Sequence, residues 1–181
     1  MTTTADGAFA GRFRKVPSPN CDDRPAGTAI TLLVLHAISL PRGCYGGDAI
    51  ERLFTNRLDP AAHPTFAELA GVRVSAHFLI RRDGELVQFV PVARRAWHAG
   101  VSCWRARERC NDFSVGIELE GTDEDEFAAA QYARLQALVA RLRARLPLRA
   151  IAAHSDVAPG RKRDPGAGFA WRRLFAHLAV S

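Results

Sequence analysis

From Thr28 to Ile38 the chain runs almost without a polar break through Ile30, Leu32, Leu33, Val34 and Leu35. Such a run suits a strand buried on both faces. Asp48 then precedes Ile50, Leu53, Phe54 and Leu58, which share one helical face and predict a helix over 49–58 capped by that aspartate. Val74–Ile80 and Glu85–Val90 flank Arg82-Asp83-Gly84, and an Asp-Gly turn between two strand-like runs predicts a hairpin. In Phe113–Leu119 the apolar Val115, Ile117 and Leu119 alternate with Ser114, Gly116 and Glu118, so Glu118 stands on the less apolar face of a strand. The acidic run Asp123–Glu126 leads into a helical stripe of Leu135, Leu138, Val139, Leu142 and Leu146, which Pro147 ends. A short strand over Leu148–Ala153 and a terminal helix over Phe169–Ala179, burying Leu174, Phe175 and Leu178, complete the pattern.

Residues 1–27, with Pro17, Pro19 and Pro25, read as an irregular arm lying on a domain of residues 28–181. Interspersed strands and helices predict a single mixed α/β domain, with helices flanking a central mixed β-sheet. The 181 residues are 48% hydrophobic and 24% charged, which is enough apolar material for one buried core and excludes a disordered chain.

The opening residues show no cationic start followed by an apolar run, and the longest apolar stretch, near Ala29–Leu40, is too short to span a bilayer. A cytoplasmic protein without a membrane partner is the expectation. Cys21, Cys44, Cys103 and Cys110 show no C-x-x-C spacing and are expected to be free thiols. The net charge of +6 favours an anionic partner, whether nucleic acid, a membrane surface or an acidic small molecule.

Six histidines are candidates for chemistry. His36 ends the first buried strand and His154 ends the last short one, at the sheet rim where α/β proteins tend to bind ligands. Asp164 follows in the loop Gly160–Gly166. Two imidazoles and one carboxylate, with a fourth position left for water, make a catalytic zinc shell. No H-E-x-x-H spacing is present, so spacing alone leaves each histidine more often structural than ligating.

Several blocks together resemble the AmpD-type N-acetylmuramoyl-L-alanine amidases. They are Leu33–Pro41, Val74–Gly84, Ala96–Gly100, Arg107–Asp123 and His154–Gly166, in order and with similar spacing from about residue 28 onward. The resemblance implies the fold shared with peptidoglycan-recognition proteins and a Zn2+ ion bound by His36, His154 and Asp164. It also implies Glu118 as catalytic carboxylate, Lys162 as catalytic lysine, and Arg73, Trp97 and Arg109 as substrate contacts. The implied substrate is a 1,6-anhydro-muropeptide, cleaved between the lactyl group and L-Ala during peptidoglycan recycling.

Those roles are chemically coherent. Zinc lowers the pKa of water toward 7. A desolvated Glu118 would shuttle protons as base and then acid, and Lys162 would stabilise the developing oxyanion. Arginine forks suit the carboxylates of a peptide stem. His77 reads as a buried structural residue, the Trp97-His98 pair as lining the groove, and His63 and His177 as bland. Ala37 stands where family members often have Asn, and Cys44-Tyr45 is a distinctive pair in the loop after Pro41; neither touches the implied ligands. A binding-only module would keep the groove but lose a ligand, whereas all three are present. Nucleic-acid binding ranks behind both, because the basic clusters lie on different elements and no recognised motif accompanies them. A monomer is expected.

Overall fold

The computed structural model describes residues 13–176. In chain order its elements are β1 (Arg14–Lys15), β2 (Cys21–Asp23), β3 (Leu32–Ile38), α1 (Ala49–Phe54), α2 (Pro64–Ala67), β4 (Phe78–Ile80), β5 (Leu86–Gln88) and β6 (Arg94–Ala96). Then come β7 (Cys103–Trp104), β8 (Arg107–Glu108), β9 (Ser114–Glu120), α3 (Ala129–Arg143), β10 (Ala150–Ala153), α4 (His154–Val157) and α5 (Trp171–Phe175). Six strands form one sheet in the order β1-β5-β4-β9-β3-β10. Every neighbouring pair is parallel except β4 and β5, which are antiparallel.

That exception is the expected hairpin. Gly84 has φ +87°, which a side chain would strain, and its N–H donates to the Arg81 carbonyl at 2.9 Å. The central strands behave as the apolar runs foretold. Leu33 and Leu35 of β3, with Val115, Ile117 and Leu119 of β9, point to the face covered by α3, where Leu135, Leu138, Val139 and Leu142 are buried. Leu32 and Val34 point the other way, onto Phe113, Ala152 and Val157. On that same side of the sheet, α1 packs Ile50, Leu53 and Phe54 against Leu79, Val87 and Phe89.

Several boundaries differ from the pattern-based expectations. The arm is not irregular throughout: β1 pairs with β5 and β2 with β6. Arg24 is anchored by hydrogen bonds to the carbonyls of Val92, Asn111, Asp112 and Ser114. α1 stops at Phe54 rather than 58, because Asn56 adopts a left-handed φ of +60°. Asp48 occupies the N-cap position without capping; its carboxylate accepts from Arg52 Nε at 2.8 Å instead. The acidic run 123–126 lies ahead of α3 in a turn, and the first free N–H of that helix entry, on Ala128, is satisfied by the Gln131 side chain at 3.0 Å. α3 ends at Arg143, before Pro147 is reached. In α5 Leu174 is buried as expected but Phe175 is 44% exposed, and Leu178 and His177 lie outside the described residues. The four cysteines are free, as their spacing implied.

Candidate metal centre and catalytic site

The three central strands bring the candidate residues together through their register. His36 on β3 lies directly opposite Glu118 on β9, and Ala153, the last residue of β10, lies opposite Leu35. His154 therefore emerges beside His36. Even-numbered side chains of β3 and β9 share the face away from α3, so His36 and Glu118 point to the same side. Asp164 reaches the cluster from the following loop, which is tied back where Ser155 N–H donates to the Asp164 carbonyl at 3.0 Å.

The donor atoms meet. His36 Nδ1 and His154 Nδ1 are 2.9 Å apart, His154 Nδ1 and Asp164 Oδ2 3.0 Å, and His36 Nδ1 and Asp164 Oδ2 3.5 Å. In a tetrahedral zinc shell with bonds of about 2.0–2.1 Å the ligand atoms stand about 3.3 Å from one another. The triangle brackets that spacing, and its two-imidazole, one-carboxylate composition is the donor set of a catalytic zinc site. His36 is pushed down to about 4 by burial, only partly opposed by its contact with Asp164. For Asp164 burial works upward, but the contacts with His154 and His36 prevail and hold it below the usual carboxylate range. A neutral His36 and an ionised Asp164 are the protonation states that metal binding requires.

Glu118 is 8% exposed, and its Oε2 has no hydrogen-bond partner. Burial, with a smaller contribution from Asp164, raises its pKa well above the ordinary glutamate value, while Lys162 pulls the other way. Its buried carboxyl group therefore holds a proton more readily than a solvated glutamate does. Lys162 is exposed and lines, with Ala37, Ser39, Arg42, Asp123 and Asp164, a cavity of about 310 Å³.

The proposed substrate contacts are scattered. Arg109 is exposed on the wall of a second cavity of about 550 Å³ with Val101, Val157 and Arg161, and its φ is +60°. Trp97 is half-buried, and its backbone N–H donates to Ser75 Oγ at 3.1 Å. Arg73 is exposed beside a separate recess lined by Leu53, Leu58 and Phe66, and the structure does not bring it to the ligand cluster.

His98 does not line a groove. It is buried beneath the site, with Nδ1 2.9 Å from His36 Nε2. His77 is the buried structural residue expected: its Nδ1 accepts from Gly116 N–H at 3.0 Å and its Nε2 lies 3.1 Å from the Arg94 carbonyl. Burial first, then the positive charge of Arg24, lowers its pKa to about 3. Residue-type reasoning missed the His98–Ser114 contact of 3.1 Å. Gly116 was the available signal, because glycine inside a strand marks a close approach. A Cβ there would lie 2.4 Å from His98 Cγ. Arg161 was missed as well; its guanidinium donates to the carbonyls of Ala99 at 2.6 Å and Val101 at 2.8 Å.

Comparisons with known proteins point to one family. A family model described as N-acetylmuramoyl-L-alanine amidase matches residues 26–167. The chain is 56% identical over 170 residues to the 1,6-anhydro-N-acetylmuramyl-L-alanine amidase AmpD of Enterobacter cloacae, covering 93% of this chain and 91% of that protein. It superposes on a crystal structure of a selenomethionine AmpD derivative with TM-score 0.89 and 54% identity, covering 91% of this chain and 93% of that one. A more distant neighbour is the amidase AmiD of Escherichia coli in complex with the substrate anhydro-N-acetylmuramic acid-L-Ala-D-γ-Glu-L-Lys. There the TM-score is 0.60 with 31% identity, covering 86% of this chain and 61% of that one.

Proposed function

Because the chain belongs to the N-acetylmuramoyl-L-alanine amidase family, we propose that His36, His154 and Asp164 hold one zinc ion beside which Glu118 and Lys162 carry out amide hydrolysis. The protein is an amidase of the AmpD type, a hydrolase that cleaves the bond between the lactyl group of 1,6-anhydro-N-acetylmuramic acid and L-alanine. The observation carrying the site assignment is the convergence of the three donor atoms on the sheet face that also bears Glu118, opposite His36 in register and with its Oε2 lacking a hydrogen-bond partner.

When bound, zinc would supply Lewis-acid polarisation and a water acidic enough to attack at cellular pH. Glu118 takes the proton released by the attacking water and passes it to the departing alanine nitrogen, so the amine leaves neutral. Its desolvated setting matches that double duty better than a solvated glutamate would. Lys162 brings positive charge to the rim of the 310 Å³ cavity and stabilises the oxyanion that develops on the scissile carbonyl. Arg109 and Trp97 are proposed to contact the anhydro-muropeptide, with the guanidinium fork gripping a stem carboxylate. Arg73 joins them only for a ligand long enough to reach its recess.

A 1,6-anhydro substrate is a released fragment, which supports an enzyme of peptidoglycan recycling; a cytoplasmic location and a monomeric state are part of the same proposal. Among the described residues no helix is long and apolar enough to cross a membrane. Cell fractionation and gel filtration test those two points. The catalytic assignment is tested by measuring bound zinc and the release of stem peptide from purified anhydro-muropeptide. Stripping the metal should abolish release and adding zinc should restore it; undiminished release after complete stripping would remove the metal from the reaction. A binding-only module would bind the fragment and release nothing.

A further inference from the structure

We propose that Ser114 and His98 form a relay that sets the tautomer of His36, turning a bare Nδ1 toward the metal before the metal arrives. The polarity is fixed at its far end. Ser114 Oγ lies 2.6 Å from the carbonyl oxygen of Cys110. Two oxygens that close need a proton between them, and a carbonyl has none to give. The serine hydroxyl is therefore committed as donor to Cys110, and toward His98 its oxygen can only accept. His98 Nε2, 3.1 Å away, must carry the hydrogen.

A neutral imidazole has one N–H and one lone pair, and His98 is buried where a charged ring is disfavoured. With the hydrogen on Nε2, its Nδ1 is an acceptor. The atom facing it at 2.9 Å is His36 Nε2, which must then donate. His36 is left with a lone pair on Nδ1, the atom that meets His154 and Asp164. One hydroxyl, two rings away, thus decides the state of a metal ligand. The opposite polarity would place an N–H on the donor atom and block it.

The surroundings hold the relay in register. His98 rests on Gly116, where any side chain would collide with the ring, and its backbone N–H donates to Asn111 Oδ1 at 3.2 Å. The His36 and His98 rings stand at 88° with centroids 5.0 Å apart, an edge-to-edge approach compatible with an in-plane N–H of one meeting an in-plane lone pair of the other. Neither Ser114 nor His98 lines the 310 Å³ or the 550 Å³ cavity, so they are positioning residues. His154 achieves the same end more simply, through its Nε2 at 3.4 Å from the Ala99 carbonyl.

The proposal rests on the reading of His36 as a ligand, and the test separates the two. Zinc affinity of the full chain is measured by chelator competition, and imidazole nitrogen shifts are read by NMR with zinc and after its removal. In the zinc-free wild type His36 is expected to show hydrogen on Nε2 and none on Nδ1. Ser114→Ala is expected to weaken zinc binding about ten- to a hundredfold and to give a mixture of His36 tautomers, while Ser114→Thr, which keeps the hydroxyl, restores both. Wild-type protein that binds no zinc overturns the ligand reading together with the relay. Zinc bound equally well by wild type and Ser114→Ala, or a zinc-free wild-type His36 protonated on Nδ1, overturns the relay alone.

Discussion

Glu118→Gln should make the zinc-free protein more stable at neutral pH while removing most of its catalytic power after zinc is restored. The side chain is almost wholly buried and its Oε2 finds no donor. A buried polar atom without a partner costs about 1–3 kcal/mol, and more when charged. Glutamine keeps the shape and removes the charge. For a chain of this length each kcal/mol moves the melting temperature by about 2–4 °C, so a rise of several degrees is expected at pH 7. Because burial raises the folded-state pKa of Glu118, its protonated form is the one the fold tolerates. Its contribution to stability is fully present below the unfolded value of about 4.3 and is lost as pH rises through the folded value. The advantage of glutamine should therefore shrink to nothing as the pH falls to about 4. Turnover should fall by about 10²–10⁴, the usual worth of a general base. Thermal melts at pH 7 and pH 4, beside an assay of peptide release, give all three quantities. A variant less stable than wild type at pH 7, with activity retained, would show that Glu118 is a structural ion partner and that the base lies elsewhere.

Other substitutions and conditions probe the remaining parts. His36→Ala should lose zinc and activity together, as read by metal content and peptide release. Lys162→Ala should keep its zinc and lose about 10²–10³ in kcat, the scale of one oxyanion-stabilising group. Gly116→Ala forces a Cβ to 2.4 Å from His98 Cγ, so a loss of about 1–3 kcal/mol in denaturant unfolding is expected from overpacking. Acidification should destabilise the zinc-free protein between about pH 6.5 and pH 3. His36 and His77 are depressed to about 4 and about 3, so the unfolded chain takes up protons first. Their contribution is present above the unfolded value and lost as pH falls. Glu118 acts in the opposite sense, so Glu118→Gln should steepen the decline measured by urea titration.

The sheet was legible because β3 carries the short unbroken apolar run Leu32–Leu35 and β9 alternates Val115, Ile117 and Leu119 with small or polar residues, two patterns that suit strands. The hairpin was legible from Asp83-Gly84, whose glycine supplies a conformation that other residues resist. Helix ends were less legible. Leu58 continues the helical period of α1, but the left-handed Asn56 interrupts it, and periodicity carries no information about that dihedral. The strands of the arm escaped notice because two or three residues are too few to show alternation. At the site, residue type and position nominated His36, His154 and Asp164, but only the family resemblance joined them, since their contact depends on the parallel register of β3, β9 and β10. The buried layer under His36 depends on ring orientation, which only coordinates reveal.

The ligand set is drawn from two kinds of scaffold. His36 sits inside a seven-residue strand flanked on both sides by parallel partners, and His154 opens α4 at the end of one of them. Asp164 sits on a surface loop held by a few hydrogen bonds, among them those of Ser155 N–H and Arg161. Local opening of that loop costs far less than disrupting the sheet. A zinc ion held by this proposed ligand set is therefore expected to leave through opening of residues 160–166 rather than through global unfolding. Stabilising the core would leave the rate of exchange unaltered, whereas tightening the loop would slow it.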